Sequence, residues 1–186
     1  MTYLNNKTMV SKNHILFTLL FTLTGILYGQ ERKFDNFSFG FQLVQFHNEF
    51  GLGVHFLSPE YKNIRINLKT NCNWLDHSDE YDRQTWSAFF NAQLGMNYSR
   101  SITRRINLYS EGGMVGLFPN SIFSDESNNI GGYGVFGFEF FFTENTTRNP
   151  SYFIELGGIG TGAVADKVSS KPIYLNGFSI AVGFRF

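Results

Sequence analysis

Residues 63–74 alternate without a break. Asn63, Arg65, Asn67, Lys69, Asn71 and Asn73 occupy the odd positions, while Ile64, Ile66, Leu68, Thr70, Cys72 and Trp74 occupy the even ones. Successive side chains of an extended strand point to opposite faces, whereas a helix repeats every 3.6 residues, so this segment reads as a strand with one apolar and one polar face. The same parity runs through 85–99. Trp86, Ala88, Phe90, Ala92, Leu94, Met96 and Tyr98 share one face and Thr85, Ser87, Asn91, Gln93, Asn97 and Ser99 the other, with Phe89 breaking the pattern. Segments 37–46, 50–58, 106–118, 132–143, 151–164 and 174–186 follow it too, most plainly in Phe136, Phe138, Phe140 and Phe142 and in Phe178, Ile180, Val182, Phe184 and Phe186. The chain is therefore all-β, with eight strands. The hairpin at 47–49 is tight and the connections 59–62, 100–105 and 144–150 are short, while 75–84, 119–130 and 165–173 are longer or more polar.

Alternation alone does not separate a soluble barrel, apolar inside, from a membrane barrel, apolar outside. The polar face decides. A face open to bulk water is rich in Lys and Glu, yet here it is mostly Asn, Ser, Thr, Gln and Gly. Its charges are Arg65, Lys69, Glu111, Glu139, Glu155 and Arg185, three of each sign. Charges withdrawn from water need partners, because burying each alone costs several kcal/mol, so a balanced set suits an enclosed lumen. Only 16% of the residues are charged and 22 are Phe, against about 25% charged in ordinary soluble domains. Aromatics gather near the strand ends: Trp74, Trp86 and Phe118 at one side, Tyr98, Phe142, Tyr152 and Phe186 at the other, as two interfacial girdles require. A sheet edge in hydrocarbon would leave backbone groups unpaired, so the sheet closes on itself. The expected fold is an eight-stranded antiparallel up-and-down transmembrane β-barrel. Tyr109, Phe141 and Phe153 would join the six charges in filling its interior.

Lys7 and Lys12 precede an apolar run, 15–27, that is shorter than the ~20 residues of a spanning helix and ends near the small Gly29. Residues 1–29 read as a secretory signal peptide and 30–186 as the barrel domain, with the mature chain starting near Gln30. Balanced charge, 15 Lys and Arg against 15 Asp and Glu, gives no field for nucleic acid. One Cys excludes a disulfide framework and a Cys-based zinc site. His47 and His55 bracket a hairpin but lack a third donor, so no metal and no cofactor is expected. Asp76, His77 and Ser78 supply the residue types of a hydrolase, but neighbours in one loop do not converge, so no catalytic residue is assigned.

The signal peptide, the eight amphipathic strands, the alternation of short and long turns and the last strand, 177–186, ending on an aromatic residue together resemble the small eight-stranded outer-membrane β-barrel family of Gram-negative bacteria. The resemblance covers the whole mature chain and is architectural. It implies an outer-membrane location among lipid and lipopolysaccharide. It also implies that Phe184 and Phe186 form the C-terminal signal read by the barrel-assembly machinery. The function expected is that of a non-enzymatic barrel with a side-chain-filled lumen, whose loops 75–84 and 119–130 meet an external ligand or lipopolysaccharide. A lipid A-modifying enzyme and a soluble lipocalin-like periplasmic carrier are the alternatives.

Overall fold

The computed structural model describes residues 36–47, 49–78, 83–125, 128–143, 150–168 and 171–186. The expected signal peptide, 1–29, lies outside them. Eight strands follow in order: β1 (Ser38–Gln45), β2 (Glu49–Leu57), β3 (Ile64–Ser78), β4 (Gln84–Thr103), β5 (Ile106–Phe118), β6 (Asn129–Phe141), β7 (Ser151–Gly160) and β8 (Asn176–Arg185). Each pairs antiparallel with its sequence neighbours and β8 returns to β1, giving a closed eight-stranded barrel. The ladder is uneven. Fifteen residue pairs join β3 to β4, but only six, from Gly40↔Arg185 to Gln45↔Ile180, close the seam between β1 and β8.

Period-two alternation sorts the side chains as expected. The outward face is apolar and exposed: Phe41, Leu43, Leu52, Val54, Ile66, Leu68, Leu94, Met96, Ile154 and Val182 form part of a continuous band. Aromatics border it. At the end carrying the short turns, the start of β1 and the end of β8, Phe140 stacks on Tyr152 with ring centroids 4.8 Å apart. At the end carrying the long loops, Phe50 stacks on Trp74 at 5.0 Å and meets Trp86 edge-on at 5.2 Å.

Several strand boundaries differ from those expected, each for a local reason. Lys62 and Asn63 have φ of 51° and 65° and sit between Tyr61 and Ile64, which exchange both backbone hydrogen bonds. Two consecutive positive φ values make the two-residue hairpin turn whose twist matches the flanking strands. Asn63 therefore belongs to the turn. Half of the expected loop 75–84 is strand, because the alternation continues through Leu75–Ser78 and those residues pair with 84–87. β6 begins at Asn129 rather than 132. The last connection is longer than expected, 161–175, since Gly162 just past β7 and Leu175 just before β8 adopt φ of 70° and 47°, outside the range of a regular strand.

Candidate functional site: the lumen and its mouth

Inside, the barrel has two layers of different chemistry. The lower layer, toward the short turns, is polar and charged, and all six sequence-assigned residues are buried in it: Arg65, Lys69, Glu111, Glu139, Glu155 and Arg185. Lys69 is at the centre. Its Nζ lies 2.9 Å from Glu111 and 2.9 Å from Glu155. Arg185 reaches Glu139 at 3.2 Å and Glu155 at 3.3 Å. Glu111 also accepts hydrogen bonds from Asn67 (2.7 Å), Asn97 (3.1 Å) and Tyr133 (2.8 Å), and Glu155 accepts one from Tyr109 (2.9 Å). Arg65 lies toward the lower rim, donating to the Ser58 carbonyl and to Ser38 Oγ, each at 2.7 Å. Buried pairs hold only if their remaining hydrogen-bonding capacity is met, and this one is met by amides and phenols on β3, β4, β5 and β6.

Aromatic side chains fill the gaps. The Arg185 guanidinium lies 4.7 Å from the Tyr109 ring centre and 4.3 Å from that of Phe153, while His55 meets Phe153 edge-on at 5.2 Å and accepts from Arg185 Nε at 3.3 Å. Room for these groups is made by glycine on the adjoining strand: a Cβ at Gly137 would stand 2.7 Å from the Tyr109 ring, and one at Gly183 2.6 Å from Phe153. His47 is exposed at the hairpin and His55 is in the lumen, so the structure does not bring the two together. Among the described residues no group of three or more His, Cys, Asp or Glu could hold a metal.

The upper layer is apolar, which the parity of the strands did not foretell. Val44, Phe46, Leu75, Phe89, Val115 and Leu117 point inward from the strands. Phe89 breaks its strand's pattern because here the interior is hydrophobic. Loops 119–125 and 161–175 fold over the opening and insert Phe123, Ala163, Val168, Tyr174 and Leu175 into the same cluster. The rings of Phe89, Phe123 and Tyr174 meet edge-to-face, with centroids at 5.1 Å from Tyr174 to each of the others. Polar bonds clasp the two loops together. Lys167 Nζ contacts Asp125 at 2.6 Å and donates to the Ser121 carbonyl at 2.7 Å; the Asp125 amide donates to Asp166 at 2.8 Å. That amide holds the exposed Asp166 carboxyl below its ordinary 3.8, so the contact favours the clasp above that pH and fades as pH falls through the lowered value. Between the two layers is a cavity of about 20 Å³ bordered by Gln42, Lys69, Gln93, Tyr133, Glu155 and Ile159. A water molecule needs ~10–15 Å³ of such space, so this cavity holds one or two waters.

The hydrolase residue types are rearranged by the strand extension. His77 points inward beside Phe123, with Nε2 2.8 Å from Ser87 Oγ across the β3–β4 ladder. Asp76 lies on the opposite face, as alternation dictates, and pairs in register with Trp86. Asp79, Glu80, Asp82 and Glu126 lie outside the described residues.

Neither the protein-family models nor the curated protein sequences match this chain. Solved structures do. The N-terminal β-barrel domain of Pseudomonas aeruginosa OprF aligns over 83% of this chain and 99% of its own, with 14% identity and a TM-score of 0.55. The outer membrane protein OprG of the same organism aligns over 83% and 97%, at 11% identity and a TM-score of 0.43. The OprF likeness is one of fold, and the apolar band around the wall is what hydrocarbon demands of it. The chain has the fold of a small eight-stranded antiparallel β-barrel with an apolar outer wall.

Proposed function

We propose that this chain is a non-enzymatic outer-membrane barrel with a closed lumen, a membrane-embedded support that holds its loop end toward the cell exterior. The observation that carries this reading is the filling of the interior twice over, by the Lys69–Glu111–Glu155–Arg185–Glu139 network below and by the Phe89–Phe123–Tyr174 plug above. Eight strands enclose an interior only wide enough for side chains, so no continuous water column survives both layers. Purified protein in planar bilayers should show no stable large conductance. A reproducible porin-sized current would overturn the reading.

The remainder of the proposal concerns partners and processing. Residues 1–29 direct export and are removed near Gln30, which intact-mass measurement of the membrane-embedded chain tests. Phe184 and Phe186, both on the lipid-facing side of the last strand or just beyond it, serve the barrel-assembly machinery; deleting residues 184–186 should lower the amount of folded barrel in cells. The loop regions 75–84 and 119–130 meet lipopolysaccharide or an external ligand. The lipid A-modifying alternative has one observation in its favour, the Ser87–His77 contact. Both groups nevertheless face the plugged lumen rather than lipid, and no carboxylate bonds His77 among the described residues. Ser87→Ala should leave the lipid A mass spectrum of expressing cells unchanged, and a changed spectrum would move the enzyme reading ahead.

A further inference from the structure

The apolar plug is built from chain that is fastened to the barrel wall in a particular way. Gly162, near its start, and Gly177, the second residue of β8 and in register with Ile159, lie close to its two ends, each with positive φ, and a Cβ at either would meet nothing within 4 Å. Space does not explain these glycines. Their backbone conformation does, since the left-handed region is open to glycine at little cost. Inside the bracket, Leu175 adopts φ of 47° without being glycine, and a non-glycine residue stays there only when its surroundings hold it. What holds it is Glu49, the first residue of β2. The Leu175 amide donates to Glu49 Oε1 at 2.8 Å, 126 positions away in sequence, and both residues are buried. Thr161 Oγ1 donates to the Tyr174 and Leu175 carbonyls at 3.2 and 3.3 Å, tying the two arms of the connection to each other rather than to the wall.

We propose that residues 161–168 and 171–175 form a hinged lid over the mouth of the barrel, with Gly162 and Gly177 as hinges and Glu49 as the latch. The apolar upper lumen beneath, walled by Val44, Leu75, Val115 and Leu117, is exposed to the outside when the latch and the Lys167–Asp125 clasp release. The lid's apolar residues keep it seated. The Glu49 bond fixes the strained turn that aims Tyr174 and Leu175 inward. Neither alone closes the mouth, so weakening either shifts the lid toward the open state.

The test uses the native thiol count to advantage. In a Cys72→Ser background, Val115→Cys places the sole thiol on the chamber wall beneath the lid. A bulky, charged maleimide is added to the purified full chain in detergent, and unboiled gel mobility confirms that each variant is a folded barrel. With Glu49 intact, labelling should be slow compared with a thiol placed at the exposed His47. Glu49→Ala should accelerate labelling at position 115 about tenfold or more, as the loss of one buried hydrogen bond shifts the open population. Glu49→Gln keeps a side-chain oxygen acceptor and should restore protection. Tyr174→Ala, which removes the aromatic contact and leaves the latch, should accelerate labelling as well and serves if Glu49→Ala does not fold. Folded variants that label no faster than the parent, or a parent that already labels as fast as the His47→Cys control, would overturn the lid.

Discussion

Gly134 and Gly137 stand three residues apart on β6, on opposite faces. At Gly134, on the lipid side, the nearest atom to an added Cβ is the Glu111 carbonyl oxygen at 4.0 Å. At Gly137, on the lumen side, the Ile154 carbonyl oxygen and the Tyr109 ring are each at 2.7 Å, closer than real Cβ contacts come. Gly137→Ala should therefore lower stability by about 1–3 kcal/mol, the usual cost of overpacking, while Gly134→Ala should be close to neutral. Urea titration of the unboiled, fast- or slow-migrating gel species measures both. Lys69 is the second residue on which much depends. It is buried and faces two carboxylates, so Lys69→Met leaves Glu111 and Glu155 without their shared cation and should cost about 3–5 kcal/mol, read by the same titration. Replacing Lys69 and Glu111 together by residues of similar shape should cost less than the sum of the single changes, since a buried pair removed whole leaves fewer orphans.

At the scale of elements, sequence alternation carried most of the wall. Residues 63–74 and 85–99 read as strands with a lipid face and a lumen face because period two is a local property, and β3 shows it with alternate residues buried from Arg65 to His77. Ile66→Arg, in the apolar band of β3, should then cost about 2–4 kcal/mol of barrel stability, and heat-modifiability of the variant would reveal it. The plug was illegible for the opposite reason. Phe123, Tyr174 and Leu175 lie in connections without periodicity, and what draws them together is an apolar upper lumen assembled from seven strands. Phe89 was the one visible trace, an aromatic on a polar face, and its meaning depended on neighbours 34 and 85 residues away. Glu49 was hidden likewise, since a single carboxylate beside a hairpin looks like any solvated one.

For the whole molecule, the balance of the six lumen charges was readable as composition, but the choice of partners was not. That Arg185 reaches Glu139 and Glu155 while Arg65 keeps to the rim follows from barrel stagger, which no single strand encodes. The closed wall has no free edge, so unfolding should be slow: unboiled protein should run apart from boiled protein in mild detergent and give a strand-dominated circular dichroism spectrum. A helical spectrum would contradict the fold. The wall is also a mechanical object, and its seam of six pairs sets how it yields under load. The start of β1 and the end of β8 lie on the same side, so pulling these strand ends apart loads the β1–β8 seam like a zipper, rung after rung, rather than shearing all rungs at once. The first teeth are the bonds between Phe39 and Phe186, and next to them is Arg185, whose side chain is anchored to Glu139 and Glu155 across the interior. Force applied at the ends therefore meets its greatest resistance at the start of the travel, and once Arg185 gives way the rest of the seam parts easily.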